Sequence, residues 1–321
     1  MRVLITGVTG FAGSFLAEHL LAQGDLDIFG VGLPQSGPGH VAHLVDRIHL
    51  MTGSLEDAAW VRQVVADAAP DYVFHLAAQA APSLSFADPG ATLIPNIMCQ
   101  VNILQGCLAA GLNPAILIIG SGDEYGLVAA SDLPITESTP FRPTNPYAVS
   151  KIAQDMLGLQ YFLAHQLRCV RVRPFNHIGP RQGEAFVVAS FAHQVAEAEA
   201  GLRPPVVHVG NLEPSRDFTD VRDMVRAYWL AVRLGAPGEV YNIGSGRAYP
   251  VRDILDKLIG MSRLPLRVEV DPAKLRPTDV MEVRCDNTRF VRATGWQPMF
   301  AIEQTLHDVL AYWRQRVGVT A

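Results

Sequence analysis

The chain has 321 residues, 49% of them hydrophobic and 18% charged, so it buries a sizeable core as one large domain or two unequal ones and is neither disordered nor fibrous. Its 26 basic and 31 acidic side chains leave a formal charge of −5 with mixed signs, which offers no basic stripe for a phosphate backbone, so no nucleic-acid partner is expected. No apolar run approaches the roughly 18 residues of a membrane span, and Met1 runs straight into an apolar strand without a basic flank, so no membrane partner and no targeting segment are expected. Cys99, Cys107, Cys169 and Cys285 form no C-x-x-C pair and lie near no His cluster in sequence, so neither metal nor disulfide is expected, and a reduced, cytoplasmic setting is.

Short apolar runs at 2–6, 27–31, 72–75, 116–119 and 169–173 read as buried parallel strands. Between them, 11–22, 58–68, 96–110 and 147–165 carry apolar residues at helical spacing, as crossover helices do. Such alternation predicts an α/β, doubly wound parallel sheet over residues 1–175. Beyond about residue 175 many prolines break the chain into shorter pieces. Helices at 186–199, 221–234, 251–261 and 302–316, with strands at 205–209, 240–243 and 266–270, suggest a smaller lobe over 176–321, some of whose segments return to the first sheet. That lobe would close a cleft at the sheet's carboxyl edge.

Directly after the first strand stands Gly7-Val8-Thr9-Gly10-Phe11-Ala12-Gly13, followed at once by a helix, which is the context a phosphate-binding glycine turn needs. Glycines let the backbone approach a pyrophosphate, whose charge meets free N–H groups at the helix's positive end. The sheet is therefore expected to be of Rossmann type and to bind NAD(P). The second strand ends in Gly30-Val31-Gly32-Leu33-Pro34, with neither the carboxylate that favours NAD nor an arginine that grips a 2′-phosphate, so NADP is preferred and NAD remains possible.

Tyr147 and Lys151 are one helical turn apart, so one helix face presents a phenol and an ammonium to the same cleft. The ammonium is expected to favour the phenolate, so that Tyr147 exchanges a proton as a substrate alcohol and ketone interconvert. Ser121, at the end of the 116–119 strand, would hydrogen-bond the same carbonyl oxygen.

Together these residues resemble the extended short-chain dehydrogenase/reductase family, in its nucleotide-sugar branch. The resemblance extends to His75-Leu76-Ala77-Ala78-Gln79, to Asn96, and to Arg173-Pro174-Phe175-Asn176. It implies that the cofactor touches Gly7, Thr9, Gly10, Phe11, Ala12, Gly13, Leu33, Leu76, Ala77, Ala78, Asn96, Tyr147, Lys151 and Pro174. The segments 176–182 and 210–223, the latter containing Arg216-Asp217-Phe218, are similar to those of GDP-sugar enzymes, nearest to the GDP-4-keto-6-deoxy-D-mannose reductases, with the GDP-mannose 4,6-dehydratases as close relatives. By that resemblance Asn176, His177, Arg181, Asn211, Arg216 and Arg276 would hold the substrate. Paired hydrogen bonds suit guanidinium to a diphosphate, and the plainer alternative for Arg216 is an ion pair with Asp217 or Asp220. For His177 the plainer alternative is a hydrogen-bonded turn histidine.

The implied reaction is NAD(P)H-dependent reduction of the C4 ketone of a GDP-4-keto-6-deoxyhexose, giving a GDP-6-deoxyhexose such as GDP-rhamnose. A 4,6-dehydratase needs an additional acid/base carboxylate. Here Asp123 stands where those enzymes place a longer glutamate, and Glu124 is out of register with the Asp-Glu pair of related dehydratases; by the resemblance the reductases carry an acid at the Asp123 position too, and the lack of the dehydratases' longer substrate-domain insertions is what favours the reductase. A C4 epimerase and a non-catalytic nucleotide-binding protein are the remaining alternatives. Surplus apolar positions on 96–110 (Ile97, Val101, Leu104, Leu108) and 147–165 (Ile152, Met156, Leu159, Leu163) suggest a homodimer through these two helices.

Overall fold

A computed structural model describes residues 1–275 and 280–319. Its principal sheet is made by β1 (Arg2–Thr6), β2 (Asp27–Gly32), β3 (His49–Thr52), β4 (Tyr72–His75), β5 (Ala115–Ile119) and β6 (Cys169–Pro174), joined by a later strand, β10 (Val240–Ile243). The order is β10-β6-β5-β4-β1-β2-β3, every pair parallel. Because β1 is flanked by β2 on one side and β4 on the other, the winding reverses there, and the crevice beyond those strand ends is where such sheets take ligands. The sequence had not marked β3, a half-exposed edge strand.

Helices α1 (Phe11–Leu21) and α7 (Val221–Leu234) cover one face of the sheet, with Leu16, Leu20, Tyr228, Trp229 and Trp296 in the core between them. On the other face lie α2 (Ala58–Ala68), α4 (Pro89–Ala109) and α5 (Pro146–His165) over Val65, Ile103, Leu104 and Ile118. Helix α4 begins about two turns before the expected 96 and runs through Pro95, because Asp88 caps it by accepting the Ala91 N–H at 2.9 Å and Pro89 needs no N–H partner at the first position. Short α3 (Pro82–Ala87) precedes it.

The remaining elements are β7 (Asn176–Ile178), α6 (Val187–Glu199), β8 (Val206–Val209), β9 (Ser215–Asp220), β11 (Ala248–Pro250), α8 (Val251–Gly260), β12 (Arg267–Val270), β13 (Glu282–Val283), α9 (Thr288–Thr294) and α10 (Ile302–Arg316). Helices α6, α8 and α10 share a second core with β8 and β9, including Phe191, Val207, Phe218, Leu255 and Leu306. Strand β9 pairs with β7, β11 and β13, fastening this lobe beside β6. Strand β10 and helix α7 belong to the first sheet, so the chain crosses between the two cores more than once. Among the described residues all four cysteines are free and no helix is long and apolar enough to cross a membrane.

Candidate active site

A cavity of about 1290 Å³ lies between the carboxyl ends of the sheet and the second lobe. At one end the β1–α1 turn is drawn tight. Gly7 has φ +72°, and a Cβ there would sit 2.9 Å from the Ala77 backbone nitrogen; a Cβ on Gly13 would sit 2.2 Å from the Gly7 carbonyl oxygen. Both positions therefore exclude larger residues. Gly10 caps α1 without a side-chain hydrogen bond, so the first-turn N–H groups face the cavity without intrahelical acceptors, a fit for a dinucleotide's diphosphate. Gly7, Thr9, Gly10, Phe11, Ala12, Gly13, Leu33, Leu76, Ala77, Ala78, Asn96 and Pro174 all line the cavity. Beside Leu33 it is lined by Ser36, Ser54 and Glu56, and among the described lining residues of this end none is lysine or arginine.

Tyr147 and Lys151 sit in the first turns of α5, whose start is set by Asn145, which caps the Ala148 N–H at 2.8 Å, and by Pro146. The Ser150 hydroxyl donates to the Tyr147 carbonyl at 2.7 Å and accepts from Asn96 Nδ2 at 3.0 Å, while Asn96 also exchanges two hydrogen bonds with the Gln79 backbone. Asn96 thus ties the segment after β4 to the helix that carries the phenol. Ser121, at the end of β5, hydrogen-bonds Tyr147, and Ser121, Asp123, Tyr147 and Lys151 line the same stretch of the cavity.

The electrostatics correct one expectation. Lys151 Nζ donates to the Ile119 carbonyl at 3.0 Å and lies 5.9 Å from the centre of the Tyr147 ring, so it does not acidify the phenol directly. Burial raises the Tyr147 phenol well above its ordinary value, Asp123 adds to this, and the Ser121 hydrogen bond opposes it. Burial likewise holds Lys151 down to about 8, with the Glu124 carboxylate opposing. His75, beneath them, accepts or donates at Thr6 Oγ1 over 2.8 Å and is held to about 3 by burial and by the Lys151 charge, so it stays neutral.

Glu124 is fully buried and does not line the cavity. Its Oε1 accepts the Ser121 N–H at 2.7 Å and its Oε2 lies 3.2 Å from Arg173 Nε. Arg173 and Arg171 both bind the buried Asp155, and Arg173 also donates to the Tyr125 hydroxyl. Burial and Asp155 push the Glu124 carboxyl up, while Arg173, the Ser121 N–H and Lys151 pull it down.

In the second lobe, Asn176, His177, Asn211 and Arg216 line the cavity. His177 stacks on Phe11 with ring centres 5.8 Å apart and interplanar angle 8°. On β9, Arg216 and Phe218 face the cavity and Asp217 faces away, as strand alternation requires. The Asp217 carboxylate is engaged by the N–H groups of Ser245, Gly246 and Cys285 and by the Ser245 hydroxyl; Asp220 is engaged by Arg222 and Thr305. The acids of the Arg216-Asp217-Phe218 segment are thus structural, whereas its arginine reaches the cleft.

Arg181 does not line the cavity: it pairs with Glu18 at 2.7 Å, donates to Ser14 at 3.1 Å and lies over the Phe15 ring, pinning the β7–α6 connection to α1. Arg276 lies outside the described residues. Sequence reasoning overlooked Lys274, a lining residue whose basic charge beside Arg276 was the available signal, and Ser36 and Ser54, which carried none.

A family model described as GDP-mannose 4,6 dehydratase matches residues 4–309. The chain belongs to this family. It is 36% identical to a GDP-6-deoxy-D-mannose reductase of Pseudomonas aeruginosa over 98% of each chain. It is 31% identical to a UDP-glucose 4-epimerase of Mycolicibacterium smegmatis, covering 98% of this chain and 99% of that one. Among solved structures, RMD from Pseudomonas aeruginosa complexed with NADPH superposes with TM-score 0.85 at 34% identity, covering 98% of this chain and 100% of that one. This family member thus has the α/β Rossmann-type fold of the extended short-chain dehydrogenases/reductases.

Proposed function

We propose that this protein is an NAD(P)H-dependent reductase that converts the C4 ketone of a GDP-4-keto-6-deoxyhexose to an alcohol, yielding a GDP-6-deoxyhexose such as GDP-rhamnose. The observation that carries this reading is the convergence of Ser121, Tyr147 and Lys151 on one stretch of a cavity that the glycine turn and Arg216 also line. The similarity to a reductase over nearly the whole chain supports it. Bound NADPH, or NADH, would supply the hydride. Tyr147, kept protonated by burial and by Asp123, is in the starting state of a proton donor to the developing alkoxide. Ser121 steadies the same oxygen, and Lys151, charged at neutral pH, holds the nicotinamide ribose. Asn176, His177, Asn211 and Arg216 hold the nucleotide sugar, so that binding energy remote from C4 positions the ketone.

The second reading, dehydration of GDP-mannose, rests on Asp123 lining the cavity beside Tyr147. Glu124, the other carboxylate of that turn, is turned away and engaged by Ser121 and Arg173, which favours the reductase. The test is to supply GDP-mannose alone and, separately, its 4-keto-6-deoxy derivative with NADPH. Loss of reduced cofactor with the keto sugar supports reduction; formation of the keto sugar from GDP-mannose overturns it.

The assembly proposed is a homodimer through α4 and α5, which expose Ile94, Met98, Val149, Met156 and Leu163. Leu104, expected on that face, is instead fully buried in the chain's own core. Sedimentation as a single chain at micromolar concentration contradicts the dimer. The four free thiols fit a reducing, cytoplasmic setting.

A further inference from the structure

The turn that ends β5 is held from two sides by groups of opposite kind. On one side Lys151 Nζ donates to the Ile119 carbonyl at 3.0 Å; on the other Glu124 Oε1 accepts the Ser121 N–H at 2.7 Å. Between these two anchors stands Gly120, where a Cβ would lie 2.3 Å from Glu124 Oε1, so the absence of a side chain there is what lets the carboxylate reach back under the turn. The Ser121 hydroxyl in turn accepts the Asp123 N–H at 3.1 Å, closing a reciprocal pair of hydrogen bonds around the short turn Gly122–Tyr125. Behind the carboxylate, Arg173 is fixed by Asp155, Tyr125 and the Glu137 carbonyl, so Glu124 rests on a rigid, fully buried support.

We propose that Glu124 is a positioning residue for the reduction: by holding the Ser121 backbone from below, it sets the direction in which the Ser121 hydroxyl meets the substrate oxygen beside Tyr147. This rests on the reading that Ser121 steadies that oxygen. The hydrogen bond does not depend on the charge of Glu124, since a carboxylate and a carboxylic acid both accept at Oε1, and a glutamine amide does as well. Without an acceptor the buried Ser121 N–H is orphaned and the turn relaxes, and displacement of a reacting contact by about 1 Å can cost about 100-fold in rate.

The test is a double-mutant cycle of E124L and S121A, with E124Q and E124D as companions, measuring kcat, KM for the nucleotide sugar, and cofactor affinity by fluorescence. E124Q keeps kcat within about threefold of the parent, because its amide oxygen retains the acceptor. E124L lowers kcat about 10- to 100-fold with KM and cofactor affinity unchanged. In the S121A background E124L costs less than about threefold further, because two residues that act as a unit are not additive. E124D, which withdraws the carboxylate by one methylene, falls with E124L; if E124L does not fold, the contrast of E124D with E124Q decides.

Equal activity of E124D, E124Q and the parent overturns the proposal, as do losses in E124L and S121A that simply add. An S121A variant with undiminished kcat would instead remove the underlying role of Ser121. A costly S121A with a harmless E124L removes only the role of Glu124.

Discussion

Replacing Lys151 with methionine removes a buried ammonium while keeping an unbranched side chain of similar reach. Burial lowers this ammonium from its ordinary 10.5 to about 8, which at 1.36 kcal/mol per unit corresponds to about 3 kcal/mol of folding stability lost by keeping it charged. The hydrogen bond that the charged Nζ donates to the Ile119 carbonyl returns about 2 kcal/mol of this. K151M should therefore be more stable than the parent at pH 7 by about 1 kcal/mol, a rise of about 2 °C at roughly 2 °C per kcal/mol for a chain of this size.

The difference should depend on pH in a stated direction. Below about 8 both folded and unfolded chains carry the proton and the whole penalty is present. Between about 8 and 10.5 the folded chain releases it while the unfolded chain keeps it, so the parent gains stability as pH rises and the gap closes. Thermal unfolding of both proteins at pH 7 and pH 10, with turnover measured in parallel, checks this. Activity should fall by at least about 100-fold, since the role proposed for Lys151 is to orient the cofactor. A K151M protein less stable than the parent at pH 7, or a gap that widens with pH, would refute the reasoning.

Y147F should lower kcat by about 100- to 10,000-fold while leaving the cofactor's fluorescence-measured affinity unchanged, because only the proton donor is lost. R216M should raise KM for the nucleotide sugar about tenfold or more, whereas R181M, on the Glu18 ion pair outside the cavity, should leave it within about twofold; similar effects of the two would contradict the assignment. D217A strips the acceptor from three backbone N–H groups and the Ser245 hydroxyl, and should destabilise the fold by about 2–4 kcal/mol in urea unfolding; a neutral result would contradict the structural role of Asp217.

Apart from the half-exposed edge strand β3, the first sheet was legible because its strands are buried on both faces and read as apolar runs. Helices α2, α7 and α10 have the bounds that their apolar spacing predicted. The strand at 240–243 was equally clear in sequence, but its membership of the first sheet follows from pairing with β6. Strand β9 was not legible: Ser215–Asp220 is a polar run whose buried acids, Asp217 and Asp220, are satisfied by residues far along the chain. The cleft residues Ser121, Tyr147 and Lys151 were legible from spacing, yet the ionisation of the phenol was not. Spacing places an ammonium one turn from a phenol, but only the fold shows that Lys151 is directed to the Ile119 carbonyl while burial and Asp123 act on Tyr147.

The central claim is that a hydride passes within this cleft to a sugar ketone as Tyr147 protonates the oxygen. Reaction of GDP-4-keto-6-deoxymannose with NADPH deuterated at the transferring position of nicotinamide C4, followed by mass and magnetic-resonance analysis of the product, tests it most directly. The account predicts one deuterium at sugar C4 for each cofactor oxidised, with the transfer slowed about 100- to 10,000-fold in Y147F. A product formed without deuterium at C4, or formed without net oxidation of the cofactor, would contradict it.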